Sequence, residues 1–189
     1  MLGPTTGICL GCIMVEHQVL FRDAMVQAIL SGDKTHTRRF VKGNKNPLGV
    51  PGDHLWVREA FAVLAPGSYL PVKPNRYSRD GCDVRYRATD PLSSSPADVR
   101  GYKWHPSLHM PRWASRITLL NLHVRSEPIQ AISDVDALKE GVGELPFSSD
   151  LSPKEKFAAL WISTYGSAAW DDNPLVWVTE FSVYQIKEY

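Results

Sequence analysis

Two long runs of β-forming residues in the C-terminal half constrain the fold more than any other feature of the sequence. Residues Ser115 to Arg125 are rich in β-branched residues and leucine, and the run stops before Pro128. Residues Pro174 to Ile186 have the same character. Both runs predict long strands. Shorter extended segments predict further strands at 18–21, 36–41, 55–57 and 84–88.

Helical periodicity is confined to short stretches between these strands. Apolar residues recur at helical spacing from Arg22, and Gly32 supplies a C-terminal stop. Ser133 is suited to cap a short helix closing at Gly141, and Ser152-Pro153 opens another. This order of elements predicts an α+β fold in which the strands curl into a small β-barrel with flanking helices.

The length of 189 residues favours one domain. We expect this domain to span residues 18–189 and to follow a loosely ordered N-terminal extension over residues 1–17. Prolines, glycines and serines predict two long loops, at about 64–82 and 89–112. Loops of this length inside a compact domain tend to be functional lids or insertions.

Charge and cysteine content narrow the function classes. The 21 Lys and Arg against 20 Asp and Glu give a net charge of +1, which argues against a protein that grips a long duplex. A small or neutral ligand is therefore favoured, and RNA stays possible through local basic clusters. Three cysteines and no secretory or membrane signature predict a cytoplasmic protein. Cys9 and Cys12 have zinc-ligand spacing, but without a second pair we expect neither metal nor cofactor.

The segment from Ser31 to Arg39 carries the first candidate chemistry. Lys34 and Thr37 are three residues apart, so on a regular strand they would face opposite sides. They can cooperate only if the chain bends after Gly32. Burial and the neighbouring arginines would lower the pKa of Lys34, and a neutral lysine can take the proton of a threonine hydroxyl. The alternative is a solvated lysine, a structural threonine and arginines paired with acids.

Other candidates lie at the end of a strand, in a loop and at a helix end. Glu59 ends the apolar strand that holds Trp56, and it could bind a ligand or pair with an arginine. The loop containing His109 and Trp113 predicts an aromatic wall that could stack on a nucleobase, or alternatively fill the core. Glu140 lies at a helix C-terminus, where the dipole disfavours an acid, and this hints at another role.

Several blocks of this sequence resemble the ASCH domain, and two of them resemble its phage- and prophage-borne branch. The blocks run in order from about residue 18 to residue 183. They are Ala24-Met25-Val26-x-Ala28-Ile29-Leu30-x-Gly32-x-Lys34-Thr35-x-Thr37-Arg38-Arg39, Pro51-Gly52-Asp53-x-Leu55-Trp56-Val57-Arg58-Glu59, His109-Met110-Pro111-Arg112-Trp113-Ala114-Ser115-Arg116-Ile117, and Trp170-Asp171-x-Asn173-Pro174 with Val176-Trp177-Val178. The resemblance implies a PUA-like fold, a small β-barrel with helices.

Small bacterial ASCH proteins include N4-acetylcytidine amidohydrolases that use a lysine, a threonine and a glutamate. The resemblance therefore implies hydrolysis of the N4-acyl amide of acylated cytidine or cytosine to cytidine and a carboxylic acid, without metal. The implied catalytic residues are Lys34, Thr37 and Glu140, with Glu59 as the alternative acid. The expected substrate-binding residues are Arg38, Arg39, Glu59, Trp56, His109 and Trp113.

Other functions stay open at this point, because one fold can carry several activities. Within the same chemistry, Lys34 could activate a water while Thr37 only orients it. The family resemblance also allows an RNA-binding module or a ribonuclease, with His109 and Lys34 as acid and base, and a phage assembly role is a further alternative. The acyl range, the size of the substrate and the oligomeric state are not specified by the sequence.

Overall fold

The computed structural model describes residues 14–75, 81–143, 145–147 and 149–187. Strands and helices alternate irregularly along the described chain, and short 3-10 turns occur at Ser107–His109, Arg112–Ala114 and Ile129–Ala131. In chain order the elements are β1 Glu16–Leu20, α1 Asp23–Ser31, β2 His36–Phe40, β3 His54–Arg58, β4 Phe61–Leu64, β5 Asp83–Tyr86, α2 Ala97–Arg100, β6 Ile117–Pro128, α3 Asp134–Lys139, α4 Pro153–Tyr165, α5 Ala168–Asp171 and β7 Leu175–Ile186.

The main sheet has five strands in the order β1-β3-β6-β7-β2. Its centre is the antiparallel pair β6 and β7, and each of these strands has 12 residues. Two register shifts mark bulges, one in β7 opposite Thr118/Leu119 and one in β6 between Asn121 and His123, and bulges bend a strand. Strand β6 pairs with β3, and β1 runs parallel to β3 on its other side. Strand β7 pairs with β2. Strands β4 and β5 form a separate antiparallel pair.

The mixed α+β class is confirmed, but the predicted closed barrel is wrong. Strands β1 and β2 are the two edges of the sheet, and no pairing joins them in the described part of the chain. The sheet stays open because the chain turns away at the end of β1. The Phe21 N–H donates to Arg58 O, and the chain then enters α1. A side chain spans the gap instead, since Arg39 Nη2 donates to Leu20 O at 3.2 Å.

Separate apolar clusters hold the two sides of the sheet. On one side, Val26 and Ile29 of α1 pack with Leu55 of β3 in a cluster that is almost fully buried. On the other side, Phe157 and Trp161 of α4 pack with residues of α3 and β7. Each fully buried side chain of this size contributes about 1.5–3 kcal/mol. Helix α4 is therefore fixed against the sheet beside the unpaired edge of β2.

The structure departs from the predicted segment boundaries at the N-terminus. Glu16 and His17 belong to β1, because Glu16 aligns with His54 and His17 with Leu55 in the parallel ladder. Residues 1–13 of the predicted extension, including Cys9 and Cys12, lie outside the described residues. Every helix in the described ranges is too short or too polar to span a membrane.

The two predicted loops contain more local structure than expected. Leu64 and Pro71 form an isolated bridge in the first loop, part of which, 76–80, lies outside the described residues. The second loop contains α2 and a 3-10 turn at Ser107–His109. Strand β4 was not predicted, because its four residues are all apolar and therefore show no alternation.

Candidate active site

The chain bends sharply between α1 and β2, as the cooperation of Lys34 and Thr37 requires. Gly32 ends the helix at φ 89°, and its N–H donates to Ile29 O. The Lys34 N–H then donates back to Ala28 O, so Lys34 lies beneath the helix end rather than on the strand that follows. Lys34 and Glu140 form an isolated antiparallel bridge. This bend places Lys34 and Thr37 on the same cleft, together with Glu140.

The Lys34 ammonium is buried and surrounded by acceptors. Only 3% of the residue is exposed, and Nζ donates to His36 O and Glu140 O at 2.8 Å and to Glu140 Oε2 at 2.9 Å. Burial lowers the pKa of Lys34 below its usual value, Glu140 opposes this, and Arg39 and Arg38 lower the pKa further. Lys34 is therefore a lysine that can lose its proton more easily than a surface lysine.

Glu140 is held by two cations at once. Arg38 Nη1 donates to Oε1 at 2.9 Å, while Lys34 occupies Oε2. The Arg38 side chain is fully buried, and its Nη2 reaches Glu127 at 2.7 Å and Asp136 at 3.4 Å. Charge-assisted hydrogen bonds to both oxygens, in a buried setting, fix the orientation of the carboxylate. Glu140 is thus held in one orientation beside Lys34.

The charges around the cleft are unequal in number. The cations are Lys34, Arg22, Arg38, Arg39 and Arg125, while Glu127, Asp136 and Glu140 supply three carboxylates. Burial also lowers the pKa of His36, which favours its neutral form. Arginine does not lose its proton in proteins, so Lys34 is the cation that can.

Thr37 contacts Arg39 rather than Lys34. Its residue is 1% exposed, and Oγ1 accepts from Arg39 Nη1 at 2.9 Å. Arg39 is fixed in turn by a bond from Nη1 to Arg38 O at 2.8 Å and by the ring of Phe21, 5.7 Å from the guanidinium. Among the described residues no hydrogen bond joins Lys34 Nζ to Thr37 Oγ1. A preformed guanidinium at a hydroxyl can stabilise an alkoxide or an oxyanion there.

An apolar and aromatic wall faces these polar groups. Phe21 and Met25 come from the start of α1, and Phe157, Trp161 and Tyr165 from α4. The rings of Trp161 and Tyr165 lie 4.6 Å apart. The cleft has a volume of about 270 Å³, close to the lower end of the range for small-molecule sites. It suits one flat heterocycle with a small substituent.

Gly141 is a point where one methyl group is expected to disturb both the fold and the cleft. Its φ is +81°, and a Cβ there would lie 2.8 Å from the Cβ of Ala28 and 3.1 Å from the Cβ of Lys34. We expect Gly141→Ala to lower the free energy of unfolding by about 1–3 kcal/mol from backbone strain, plus a packing cost. Urea denaturation measures the change.

Gly52→Ala is the matched control for this substitution. Gly52 has φ +96°, but a Cβ there meets no atom within 4 Å, so only the backbone strain applies. A larger loss of stability for Gly141→Ala than for Gly52→Ala isolates the clash with Ala28 and Lys34. Equal losses would mean that the close packing around Gly141 contributes nothing.

No protein-family model matches the chain, and no curated protein matches it. The chain is similar to a crystal structure of protein EF3133 from Enterococcus faecalis V583, described as DUF984. The identity is 13%, the match covers 95% of this chain and 86% of that chain, and the TM-score is 0.45. At so low a score, neither fold nor function is inferred from the similarity.

Glu59, the alternative acid, lies away from the cleft that contains Lys34. It is 1% exposed, and both carboxylate oxygens accept from Arg116, each at 2.9 Å. Burial raises the pKa of Glu59, and Arg116 opposes this. A buried carboxylate with a bidentate arginine partner has a structural explanation. The structure therefore favours Glu140 as the acid that accompanies Lys34.

The predicted substrate-binding residues divide between several places. Arg38 and Arg39 line the cleft with Lys34. Trp56 and His109 line a different cleft, and Trp113 donates from Nε1 to Asn75 O at 2.7 Å. The expectation that these three ring-bearing side chains surround the same pocket does not match their positions. The sequence of a long loop does not indicate which side of the sheet the loop covers.

The aromatic residues of α4 were missed as cleft residues. Phe157, Trp161 and Tyr165 recur every four residues, which places them on one helical face. This spacing indicates an apolar face for the helix but not the surface that the face covers. Within the described residues, no group of three His, Cys, Asp or Glu side chains is arranged to hold a metal ion.

Proposed function

We propose that the protein is an amidohydrolase that removes the acyl group from the N4 amine of acylated cytidine. The observation that carries this proposal is the convergence of Lys34, Thr37 and Glu140 on one small cleft with an aromatic wall. A nucleobase is flat and apolar on both faces, so rings such as Trp161 suit it. Its acyl amide would then lie against the polar side, at Thr37.

The first chemical step is attack by the Thr37 hydroxyl on the acyl carbonyl carbon. Neutral Lys34 accepts the hydroxyl proton as the C–O bond forms, and the carbonyl oxygen becomes an oxyanion. Arg39 already donates to Oγ1 and so lies beside the developing negative charge. Because no hydrogen bond joins Lys34 Nζ to Thr37 Oγ1 among the described residues, substrate or one water completes the proton path.

The second step breaks the C–N bond. The tetrahedral intermediate collapses, the amine nitrogen takes the proton from Lys34, and cytidine leaves with an ester on Thr37. Water then attacks the ester carbonyl with Lys34 as base again. This step releases the carboxylic acid and restores the Thr37 hydroxyl.

Glu140 acts in this scheme as a positioning residue. Both of its oxygens accept from cations, Oε1 from Arg38 and Oε2 from Lys34. With both oxygens engaged by cations, Glu140 is poorly placed to act as the proton donor to the leaving amine. Its role is to orient Lys34 and to balance the charge while Lys34 is protonated.

The finer fold assignment belongs to the same proposal. We propose an ASCH domain of the phage type in which the PUA-like barrel is open between β1 and β2. One resemblance block supports it, because the Lys34-Thr35-x-Thr37 block lies beside the helix end at Glu140 although 106 residues separate Lys34 from Glu140. The opening is where the cleft lies.

The direct test is a panel of N4-acylcytidines incubated with the purified protein and a chelator. We expect release of cytidine and the matching carboxylic acid, with shorter acyl chains preferred because the cleft is small. Chromatographic quantification of both products measures it. Intact substrates after prolonged incubation of folded protein would contradict the proposal.

The ribonuclease alternative loses the acid–base pair on which it rested. His109 and Lys34 line different clefts, so they cannot act on the same phosphodiester in this arrangement. RNA recognition without catalysis is tested by the salt dependence of RNA binding, which is steep for a protein that neutralises many phosphates.

A further inference from the structure

A second cleft adjoins the first one. The two share Leu20, Phe21 and Arg22 in their walls, so they meet at the junction of β1 and α1. The second cleft has a volume of about 440 Å³, and Trp104 and Asp23 also line it. A ligand held in the first cleft can therefore extend past Arg22 into the second.

Two buried polar atoms, in side chains that line the second cleft, have no hydrogen-bond partner among the described residues. The Nε1–H donor of Trp104 has no acceptor, and the Oδ1 acceptor of Asp23 has no donor, within the described part of the chain. Burying an unsatisfied polar atom costs about 1–3 kcal/mol, so each such atom calls for an explanation. Both atoms are shielded from solvent, so a ligand pairs with them only when the Trp104 or Asp23 side chain turns toward the cleft that these residues line. A sugar ring carrying hydroxyl groups offers the acceptor and the donor that the two atoms lack.

The charge of the cleft points to an anion as well. Asp23 pairs with Arg87, so these two charges cancel, and His105 also lies in the wall. Arg22 is exposed and its side chain forms no hydrogen bond or ion pair with the described residues, although it lines both clefts. It leaves one unpaired positive charge at the junction. Phosphate is the anion that accompanies a sugar on a nucleoside.

Substrate geometry connects these observations. In N4-acylcytidine the acyl amide and the sugar are attached at opposite ends of the pyrimidine ring. If the amide lies at Thr37, the sugar at the opposite side of the ring is directed away from Thr37. The adjoining cleft begins at Phe21 and Arg22, which border the first cleft.

We propose that the second cleft binds the sugar and phosphate of the substrate, so that the protein acts on acylated cytidine nucleotides in preference to nucleosides. This inference rests on the proposed function for the first cleft. Trp104 and Asp23 contact the sugar, and Arg22 contacts the phosphate. The phosphate can belong to a mononucleotide or to a phosphodiester of single-stranded RNA.

The experiment compares four substrates with the full-length protein. These are N4-acetylcytosine, N4-acetylcytidine, N4-acetylcytidine 5′-monophosphate and a short single-stranded RNA with one internal N4-acetylcytidine. We expect kcat/KM to rise about 10-fold or more from nucleoside to monophosphate, as for a hydrogen bond to a charged group. A further rise with the RNA identifies the phosphodiester as the source, and no further rise identifies the mononucleotide.

Variants assign the two contacts separately. Arg22→Gln is expected to remove most of the preference for the monophosphate over the nucleoside. Lys45→Gln removes an exposed cation that lines neither cleft and should leave that preference intact. Trp104→Phe keeps a ring but loses the donor, so it should reduce the preference for the nucleoside over the free base. An unchanged monophosphate preference in Arg22→Gln would overturn the inference.

Binding of the product separates this inference from the proposed function. Calorimetry compares the affinities for cytidine 5′-monophosphate and cytidine without any turnover. Tighter binding of the monophosphate that is lost in Arg22→Gln supports the second cleft even if no deacylation occurs. Deacylation with equal kcat/KM for nucleoside and monophosphate would leave the proposed function standing and the inference refuted.

Discussion

Replacing Thr37 by alanine is expected to lower kcat/KM for N4-acylcytidine hydrolysis by roughly 10³–10⁶-fold, the range seen when a member of a nucleophilic triad is removed. The variant lacks the oxygen that would attack the carbonyl, while Lys34 and Arg39 stay in place. Chromatographic rates of cytidine release measure the change. Thr37→Ser is the matched control, because it keeps the hydroxyl group and should retain a substantial part of the activity.

A covalent intermediate gives this prediction a second readout. With a slowly hydrolysed acyl group, wild-type protein should carry that group on the peptide containing Thr37, as detected by mass spectrometry. Thr37→Ala should not carry it. Near-native turnover of Thr37→Ala would instead mean that water, activated by Lys34, is the nucleophile and that Thr37 only orients it.

Stability losses can be separated from catalytic ones at this position. Thr37 is buried and its hydroxyl accepts from Arg39, so alanine also leaves one guanidinium N–H without this partner. Loss of one hydrogen bond to a charged group costs about 1.5–3 kcal/mol. Urea denaturation shows whether the variant is folded under the assay conditions. A folded but inactive Thr37→Ala is the expected result.

The elements that local sequence determines were the ones predicted best. Gly32 ends α1 as expected, and Ser152 caps α4 with the reciprocal bonds to Glu155 that define a capping box. Both signals act within a few residues. The start of β1 at Glu16 was missed, because it depends on pairing with β3 about 38 residues later. Pairing between distant segments leaves no local pattern to recognise.

In the candidate site, too, the locally determined features were predicted and those that depend on distant segments were not. Lys34 and Thr37 were identified together with the bend they need, since Gly32 lies two residues before Lys34. The positions of Trp56 and Trp113 were not predicted. Tertiary packing places both residues outside the cleft, and local sequence does not determine that packing. The wall contributed by α4 depends on how that helix docks against β2 and β7. Periodicity gives the apolar face of a helix but not the surface that it meets.

Changing Lys34 is expected to have the second large effect, because Lys34 is the base in the proposed mechanism. Lys34→Arg keeps a cation that can contact Glu140 but cannot lose its proton. Lys34→Met removes both the charge and the base. Both variants should lose activity on the order of 10²–10⁴-fold, the contribution typical of general base catalysis. Retained activity in Lys34→Arg would show that Lys34 acts only as a charge.

The pH dependence tests the same assignment in the wild-type protein. In the proposed mechanism the neutral amine of Lys34 is the active form, so kcat/KM should rise with pH and level off above the pKa of Lys34, which burial holds below its usual value. Glu140 opposes that lowering, and Glu140→Gln should therefore move the rise to lower pH while reducing kcat. A merely structural role of Glu140 would reduce activity without moving the profile.

Stability should depend on pH through the same proton. Between the lowered pKa of folded Lys34 and its higher pKa in the unfolded chain, the unfolded state binds more protons, so the free energy of unfolding increases with pH. Lys34→Met should lack this contribution, and the difference between the two proteins isolates it from other titrating groups. Urea denaturation over a pH series measures it. If the two curves are parallel throughout, Lys34 has the same pKa folded and unfolded, and it cannot supply a base at neutral pH.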